Sequence, residues 1–341
     1  MKSRLKSFVK PVLVSLASQF GPHATSNKTP KLWVLMYHRI LPSSDNRFQQ
    51  EEPGMLVRPE SFAMHLKEIK RNFDVMFLSD WVKAKQSGEP LPAKACAVTF
   101  DDGWLDNFEF ALPALKAEAV PATLFAVAEK IGTDFQFWPN IVSMLLLNGA
   151  GRHLAKQPLF SHLESQLNSM AAQPSRDQIA HIIFQLKQRS DADIFNALKD
   201  INWRSLCPDE IPPALMNWEQ LNSMQASGLV EIGSHTCTHR RLTSALTSAE
   251  LEHEIVNSKK ILQAKLNAPV ELFCFPNGDY NAEALSLVET HYAAAVTTKR
   301  GINLGDSATH TTKLHELTRI GLHDEVSHTR TLLRSRLSGW V

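Results

Sequence analysis

Two short segments of the chain carry groups that could bind a metal ion and activate a water molecule. In the first, residues 97–103 read Ala-Val-Thr-Phe-Asp-Asp-Gly, so an apolar run ends in Asp101, Asp102 and a glycine. Side chains on a regular strand alternate between its faces, but a glycine turn at the strand end can bring both carboxylates into one cavity. There, one carboxylate can bind a metal while the other acts as a base. Alone, Asp-Asp-Gly is weak evidence for such a site, because it is a common turn sequence.

The second segment, residues 230–239, reads Val-Glu-Ile-Gly-Ser-His-Thr-Cys-Thr-His. His235 and His239 are four residues apart, so one helical turn would place both imidazoles on the same side. Two imidazoles and one carboxylate make up the three protein ligands of an open catalytic zinc site, which keeps a position for water. By itself the histidine pair is only moderate evidence for a metal site, because a chain with 14 histidines can contain such a pair by chance.

Both segments follow apolar runs of the kind that form strands buried on both faces of a parallel sheet. Runs of this kind occur at 32–37, 75–78, 96–100, 122–127, 229–232, 270–275 and 293–297. Helical periodicity lies between them, at 59–72, 107–119 and 248–266. Strands alternating with helices predict an α/β fold. In α/β barrels the carboxyl ends of the strands carry the active site, so the two segments should converge there.

Two parts of the chain depart from this alternation. Residues from about 139 to 216 show helical periodicity without a convincing strand, which predicts a helical insertion in one barrel. Residues 1–30 form a basic amphipathic segment with a turn-rich linker at 21–30, and positions 1–31 hold six Lys or Arg and no acid. Such a segment suits peripheral contact with an anionic membrane through residues 1–20. The alternative is a helix packed on the domain or a frayed tail.

The composition limits the classes of partner and compartment. The formal net charge of the 341 residues is +1, which gives no reason to expect nucleic acid as a partner. The four cysteines form no C-x-x-C pair, which favours free thiols in a reducing compartment. The N-terminal segment lacks the unbroken apolar stretch of a secretion signal, so we expect a cytoplasmic protein, peripheral at the inner membrane face. Nothing in the sequence indicates an oligomeric state.

Taken together, these motifs resemble the polysaccharide deacetylase family, which is carbohydrate esterase family 4 or the NodB homology domain. The resemblance covers residues 31–337 apart from the insertion. Residues 99–103 match the T-F-D-D-G motif of the family, 234–239 match its H-[ST]-x-x-H motif, and 273–278 (Phe-Cys-Phe-Pro-Asn-Gly) align with its third motif. Residues 34–40 resemble the Tyr-His opening of members that act on exported polysaccharides. The resemblance implies a distorted (β/α) barrel with a helical insertion.

The resemblance also implies an activity and a set of roles. Asp101 would be the catalytic base, and Asp102, His235 and His239 would bind the metal ion. The ion would be Zn²⁺ or another divalent transition metal such as Co²⁺ or Ni²⁺. The reaction would be the hydrolysis of N-acetyl groups on a carbohydrate, in an exported or cell-envelope polysaccharide.

The sequence departs from the family in two places. Members often carry an arginine in the third motif that orients the base, whereas Cys274 or Phe275 stands there in this chain. Arg319, in the expected final barrel strand, is the candidate substitute, with a surface salt bridge as the alternative. For the general acid we prefer His38, at the end of the first strand, over His323, which matches the Leu-x-His motif loosely. Either histidine could instead be structural.

Four further residues are candidates for substrate binding. Trp104 follows the aspartate pair and either stacks on a sugar ring or packs in the core. Pro276, Asn277 and Tyr280 belong to the third motif or follow it, where a backbone N–H would stabilise the oxyanion. Two other functions remain open: a deacylase of a small amide or lipid-linked sugar on the same fold, and a non-catalytic carbohydrate-binding protein. The complete aspartate and histidine set argues against the second.

Overall fold

Parallel strands dominate the computed structural model, which describes residues 2–25, 29–170, 173–207, 210–305 and 312–340, with side chains from residue 11 onward. Its strands are β1 (Lys31–Tyr37), β2 (Arg39–Ile40), β3 (Leu56–Val57), β4 (Asp74–Val75), β5 (Lys94–Phe100), β6 (Ala122–Ala126), β7 (Val230–Ser234), β8 (Leu272–Cys274), β9 (Ala294–Arg300), β10 (Asn303–Leu304) and β11 (Leu317–Gly321).

Seven of these strands close into a barrel. Their order is β1, β5, β6, β7, β8, β9 and β11, every neighbouring pair is parallel, and β1 pairs with both β5 and β11. Outside the ring, β4 extends the sheet beside β5, and β10 runs antiparallel to β1. The predicted α/β barrel is therefore confirmed.

Burial on both faces explains the apolar runs in the sequence. Six of the seven residues of β5 and all five of β6 are buried. Gly233 in β7 is required by packing, because a Cβ added there would lie 2.5 Å from the ring of Phe125. The strand expected at 75–78 is wrong in extent: only Asp74–Val75 pairs with β5, outside the ring, because Leu78 already begins a helix.

The helices are α1 (Lys2–Phe20), α2 (Pro59–Asn72), α3 (Leu78–Ser87), α4 (Leu112–Glu118), α5 (Trp138–Leu147), α6 (Gly151–Ala155), α7 (Glu164–Ser169), α8 (Arg176–Leu186), α9 (Asp191–Asp200), α10 (Trp218–Ala226), α11 (Ser248–Glu252), α12 (Ser258–Leu266), α13 (Ala282–His291), α14 (Asp324–Ser327) and α15 (Arg330–Leu337). Within the described ranges, two helical regions contain a π-helical turn, at Asn107–Ala111 before α4 and at His253–Asn257 between α11 and α12.

A second compact unit holds α5 to α9. It comprises Asp134–Ala214 together with Leu41–Leu56, whereas the sequence pointed to about 139–216 alone. The unit has its own apolar core, formed by side chains between Trp138 and Leu198. Within it, Glu51 accepts hydrogen bonds from Asn140 and Arg176, which ties the earlier segment to the helices.

The helix α1 belongs to the barrel unit and packs against α15. Ala17 and Ser18 form its buried side. The C-terminal ends of the two helices are in close contact at Gly21 and Ser338. A Cβ added at Gly21 would lie 2.4 Å from Cβ of Ser338. No helix among the described residues has both the length and the apolar character needed to cross a membrane.

Candidate metal centre and active site

The two aspartates lie where β5 ends. The turn that follows has left-handed backbone at Asp102 (φ 76°) and Gly103 (φ 88°), which breaks the strand alternation. Both carboxylates are consequently buried at the same end of the barrel, with 2% and 4% of Asp101 and Asp102 exposed. The two carboxylates have different partners.

Asp101 is held by the guanidinium of Arg319, which reaches it from β11. Nη1 and Nη2 of Arg319 donate to Oδ1 and Oδ2 of Asp101, each at 2.7 Å. Arg319 also donates to the carbonyl of Thr297, to Oγ1 of Thr99 and to Sγ of Cys274. Arg319 is 1% exposed, so the alternative of a surface salt bridge is wrong.

The electrostatics keep Asp101 ionised. Burial by itself would raise the pKa of the Asp101 carboxyl, but the charge and hydrogen bonds of Arg319, with a smaller effect from His38, hold it below its ordinary value. His38 Nε2 lies 3.7 Å from Asp101 Oδ2, and the His38 side chain is partly exposed. A carboxylate of this kind is available as a proton acceptor at neutral pH.

Asp102 faces the two histidines. Its Oδ1 lies 3.3 Å from Nε2 of His235 and 3.3 Å from Nε2 of His239. That oxygen is buried and makes no hydrogen bond to any described residue. The Nδ1 of His235 lies 2.7 Å from the carbonyl of Cys274, which only accepts, so Nδ1 carries the proton and Nε2 offers a lone pair. One carboxylate oxygen and two ring nitrogens thus converge as a set that fits a divalent ion.

A second possible group, Asp101, His235 and Cys274, shares one of these histidines. It is a poorer metal site, because Arg319 already binds both oxygens of Asp101 and the thiol of Cys274. The pKa of Asp102 is also consistent with a ligand: burial would raise it, but His235 and His239 hold it well below its usual range.

The loop between the histidines is not helical, so the expected helical turn is wrong. Thr236 (φ 67°) and His239 (φ 66°) are both left-handed, and the turn they form brings the two rings to 5.0 Å between centroids. The buried carboxylate of Glu254 holds this loop by accepting from the backbone N–H and the hydroxyl of Thr238. The sequence did not single out Glu254, since it reads as one more acid on a helix.

Trp104 supports Asp102 and does not stack on a sugar. It is 2% exposed, and its indole N–H donates to Oδ2 of Asp102 at 2.8 Å. The guanidinium of Arg39 covers its ring at 4.2 Å, and Arg39 is paired with the buried carboxylate of Asp106. The substrate-stacking role is therefore corrected to one of positioning a metal ligand, which the sequence missed along with Arg39 and Asp106.

The other candidates lie in different surroundings. Nδ1 of His323 lies 2.7 Å from a carboxylate oxygen of Glu325. Pro276 is buried, whereas Asn277 is exposed and left-handed (φ 55°). Tyr280 stacks on Phe275 at 4.3 Å. The hydroxyl of Tyr280 donates to Glu316 at 2.5 Å and accepts from Lys299 at 3.0 Å. The roles suggested for these four residues in substrate binding and proton transfer stay predictions.

Comparison with known proteins identifies the class that this fold and site define. The family model described as polysaccharide deacetylase matches residues 88–296, more than half of the chain, and the chain belongs to that family. Members are metal-dependent hydrolases that remove N-acetyl groups from carbohydrates. The match includes Asp101, Asp102, His235 and His239, whereas His38 and Arg319 lie outside it.

The chain is also similar to individual proteins. It is 23% identical over 278 residues to YxkH of Bacillus subtilis strain 168, a protein assigned to the polysaccharide deacetylases, covering 81% of this chain and 67% of YxkH. The structure of the Streptococcus pyogenes deacetylase PplD in complex with acetate gives a TM-score of 0.58 at 19% identity, covering 91% of this chain and 99% of that chain. IcaB from Ammonifex degensii gives 0.54 at 17%, covering 90% and 97%. The two structures show a shared fold.

The contact of Trp104 with Asp102 predicts an effect on metal affinity. Trp104→Phe keeps an aromatic ring but removes the indole donor, so the affinity for Zn²⁺ should fall on the order of 10–100-fold. Competition with a chromophoric chelator measures this. Trp81→Phe is the matched control, because Trp81 is fully buried and its indole N–H has no hydrogen-bond partner among the described residues. Equal zinc affinities in the two variants would show that the Trp104 contact does not act on the metal ligand.

Proposed function

We propose that this deacetylase acts on an N-acetylated polysaccharide of the cell envelope or one that is exported, with Asp101 as base and Asp102, His235 and His239 as metal ligands. The observation that carries this division of roles is the different pairing of two neighbouring carboxylates. Arg319 binds both oxygens of Asp101. In contrast, Oδ1 of Asp102 accepts no hydrogen bond from the described residues and lies 3.3 Å from an imidazole nitrogen of each histidine.

The ion that suits this ligand set is Zn²⁺, and Co²⁺ or Ni²⁺ would be accepted by the same nitrogen and oxygen donors. When bound, it would supply a Lewis acid that polarises the acetamide carbonyl and lowers the pKa of water. Asp102 is fixed for this role by Trp104, and His235 by the carbonyl of Cys274.

Side chains at the barrel mouth carry out the two proton transfers. Asp101 accepts the proton of the attacking water, because its carboxylate is ionised and its rotamer is fixed by the arginine fork. His38, 3.7 Å from Asp101, donates a proton to the leaving amine. Water and the N-acetyl group are thereby converted to acetate and a free amine. We favour His38 over His323 because Nε2 of His38 lies 3.7 Å from Oδ2 of the proposed base Asp101.

Acetate release tests the proposed function directly. Purified protein is offered acetylated oligosaccharides of different linkage, with chelator and after re-addition of Zn²⁺. We expect release from at least one glucosamine-type oligomer, loss of release after chelation, and recovery with Zn²⁺. Full activity after exhaustive chelation would contradict the metal mechanism.

The two aspartates provide internal controls for this experiment. Asp101→Asn should keep the bound metal and lose turnover by roughly 10²–10⁴-fold, as expected for removal of a general base. Asp102→Asn should lose metal instead, as measured by elemental analysis. Equal metal loss in both variants would mean that the roles are assigned wrongly.

The pairing of Arg319 with Asp101 predicts a change in the pH–rate profile. Arg319→Met removes the charge that holds the Asp101 pKa down, so that pKa should rise. Activity requires ionised Asp101, and the acidic limb should therefore move to higher pH by about one pH unit or more, with a lower kcat. Arg319→Lys should recover only part of kcat, since it restores the charge but not the fork.

The control for this experiment is the folded state of each variant, because removing one member of a buried pair also costs stability. Thermal unfolding is measured alongside, and the profiles are recorded well below the midpoint. An unchanged acidic limb in folded Arg319→Met would assign Arg319 a purely structural role.

We also propose that α1 contacts an anionic membrane. Four apolar side chains of α1, each 48–59% exposed, support this: Val12, Leu13, Leu16 and Phe20. At 3.6 residues per turn they lie within about 100° of arc. Ser18, on the opposite side of the helix, and Ala17, at the edge of this arc, are both buried. With four basic residues and no acid in its sequence, α1 complements anionic lipid headgroups. That this surface is the inner face of a cytoplasmic membrane stays a prediction.

Vesicle sedimentation tests the membrane contact. Leu13→Gln combined with Leu16→Gln should weaken binding to vesicles of phosphatidylcholine and phosphatidylglycerol by about tenfold or more. Added salt should weaken wild-type binding too. Phe184→Gln is the matched control, because Phe184 is 63% exposed on α8 in the other unit. Point substitutions are preferred to deletion of α1, because the deletion would also expose the surface of α15 that α1 covers. Unchanged binding by the double variant would contradict the proposal.

A further inference from the structure

A second group of side chains that could bind a metal ion includes a residue of the histidine loop. It consists of Glu129, in the turn after β6, Cys237, in the loop itself, and His253, the first residue of a π-helical turn. Nε2 of His253 is 3.0 Å from Oε1 of Glu129. One ligand atom from each of the three side chains lies within 4.8 Å of the others.

Three hydrogen bonds fix this arrangement, two of them between backbone groups. The N–H of Glu129 donates to the carbonyl of Cys237 at 2.9 Å, and the thiol of Cys237 donates to the carbonyl of His253 at 3.1 Å. The N–H of Cys237 also donates to the carbonyl of Glu254. The three side chains are therefore brought together by the main chain and not by the chance overlap of mobile side chains. π-helical turns such as the one at His253 often occur at functional sites.

The ligand chemistry is that of a transition-metal site. A thiolate, an imidazole and a carboxylate are all ligands of zinc, and the thiolate selects against Mg²⁺ and Ca²⁺. Nδ2 of Asn257 lies 3.2 Å from Nδ1 of His253. If the amide is rotated by 180°, its oxygen accepts a hydrogen bond from Nδ1–H of His253, which leaves Nε2 to bind the ion. Cys237 is buried, whereas Glu129 and His253 are partly exposed, which gives an ion access from solvent.

We propose that Glu129, Cys237 and His253 form a second site for a thiophilic divalent ion such as Zn²⁺, distinct from the catalytic set. Binding replaces the hydrogen bond from the Cys237 thiol to His253 by a metal–sulfur bond, and the thiol proton passes to solvent. Cys237 lies midway between His235 and His239, so the ion braces the loop that carries two catalytic ligands. An ion that binds only the folded chain also stabilises it.

Cobalt binding separates the two sites spectroscopically. Only a site with a thiolate ligand gives the near-ultraviolet sulfur-to-Co²⁺ charge-transfer absorption, and the catalytic set has none. We expect this band in the wild-type protein titrated with Co²⁺, and also in Asp102→Asn, in which the catalytic site is impaired. We expect its loss in His253→Gln, which leaves every thiol in place, and in Cys237→Ser. Cys207→Ser, at a partly exposed cysteine in the other unit, is the matched control and should keep the band.

Elemental analysis and thermal unfolding complete the test. Wild-type protein should hold one more zinc ion per chain than His253→Gln, and added Zn²⁺ should raise the melting temperature of Asp102→Asn but not of His253→Gln. His253 is partly exposed, so His253→Gln is expected to fold. Absence of the cobalt band in wild type, or its persistence in Cys237→Ser, would overturn the proposal. Neither result bears on the deacetylase assignment, which is tested by acetate release.

Discussion

The buried pair between Arg319 and Asp101 is the constraint around which the barrel mouth is built. Two charges removed from water are costly unless each is fully hydrogen-bonded. Arg319 meets this requirement with hydrogen bonds to three strands or the residues that follow them: Asp101 and Thr99 at β5, Cys274 in β8 and Thr297 in β9. The guanidinium therefore links these three strands as well as fixing the rotamer of the base.

Local backbone strain surrounds this pair. Of the seven non-glycine residues with positive φ among those that the structure describes, four lie in the segments that form the site: Asp102, Thr236, His239 and Asn277. A left-handed conformation costs such a residue on the order of 1–3 kcal/mol and persists only where its surroundings enforce it. Two hydrogen bonds supply such surroundings here. Trp104 donates one to the side chain of Asp102, and Glu254 accepts one from the loop that contains Thr236. Two of the three proposed metal ligands are thus held in conformations that an isolated chain would avoid.

The sequence predicted the barrel and the proposed ligands because both depend on local signals. Apolar runs mark strands buried on both faces, and polar groups directly after them mark the mouth. It could not predict how the loop brings His239 to His235, since spacing alone does not distinguish a helical turn from one made by left-handed residues. Trp104 was misjudged because an aromatic residue beside a catalytic motif fits a sugar platform and a buried support equally well. Leu41–Leu56 gave no sign that it belongs with Asp134–Ala214, a grouping that depends on contacts such as those of Glu51.

The arrangement around Asp102 links metal binding to stability. Its Oδ1 is a buried acceptor without a hydrogen bond from any described residue, and such a group costs about 1–3 kcal/mol. Nε2 of His235, 3.3 Å from this oxygen, carries a lone pair, because the proton of the ring is on Nδ1, which donates to the carbonyl of Cys274. A proton on Nε2 of His235 would make that imidazole a cation, because its Nδ1 already carries one, whereas a divalent ion binds the carboxylate oxygen and both ring nitrogens at once. The strained turn at Asp102 and the left-handed His239 therefore form a site whose own polar groups favour the ion, so that metal binding should contribute to the stability of the barrel mouth as well as to the chemistry.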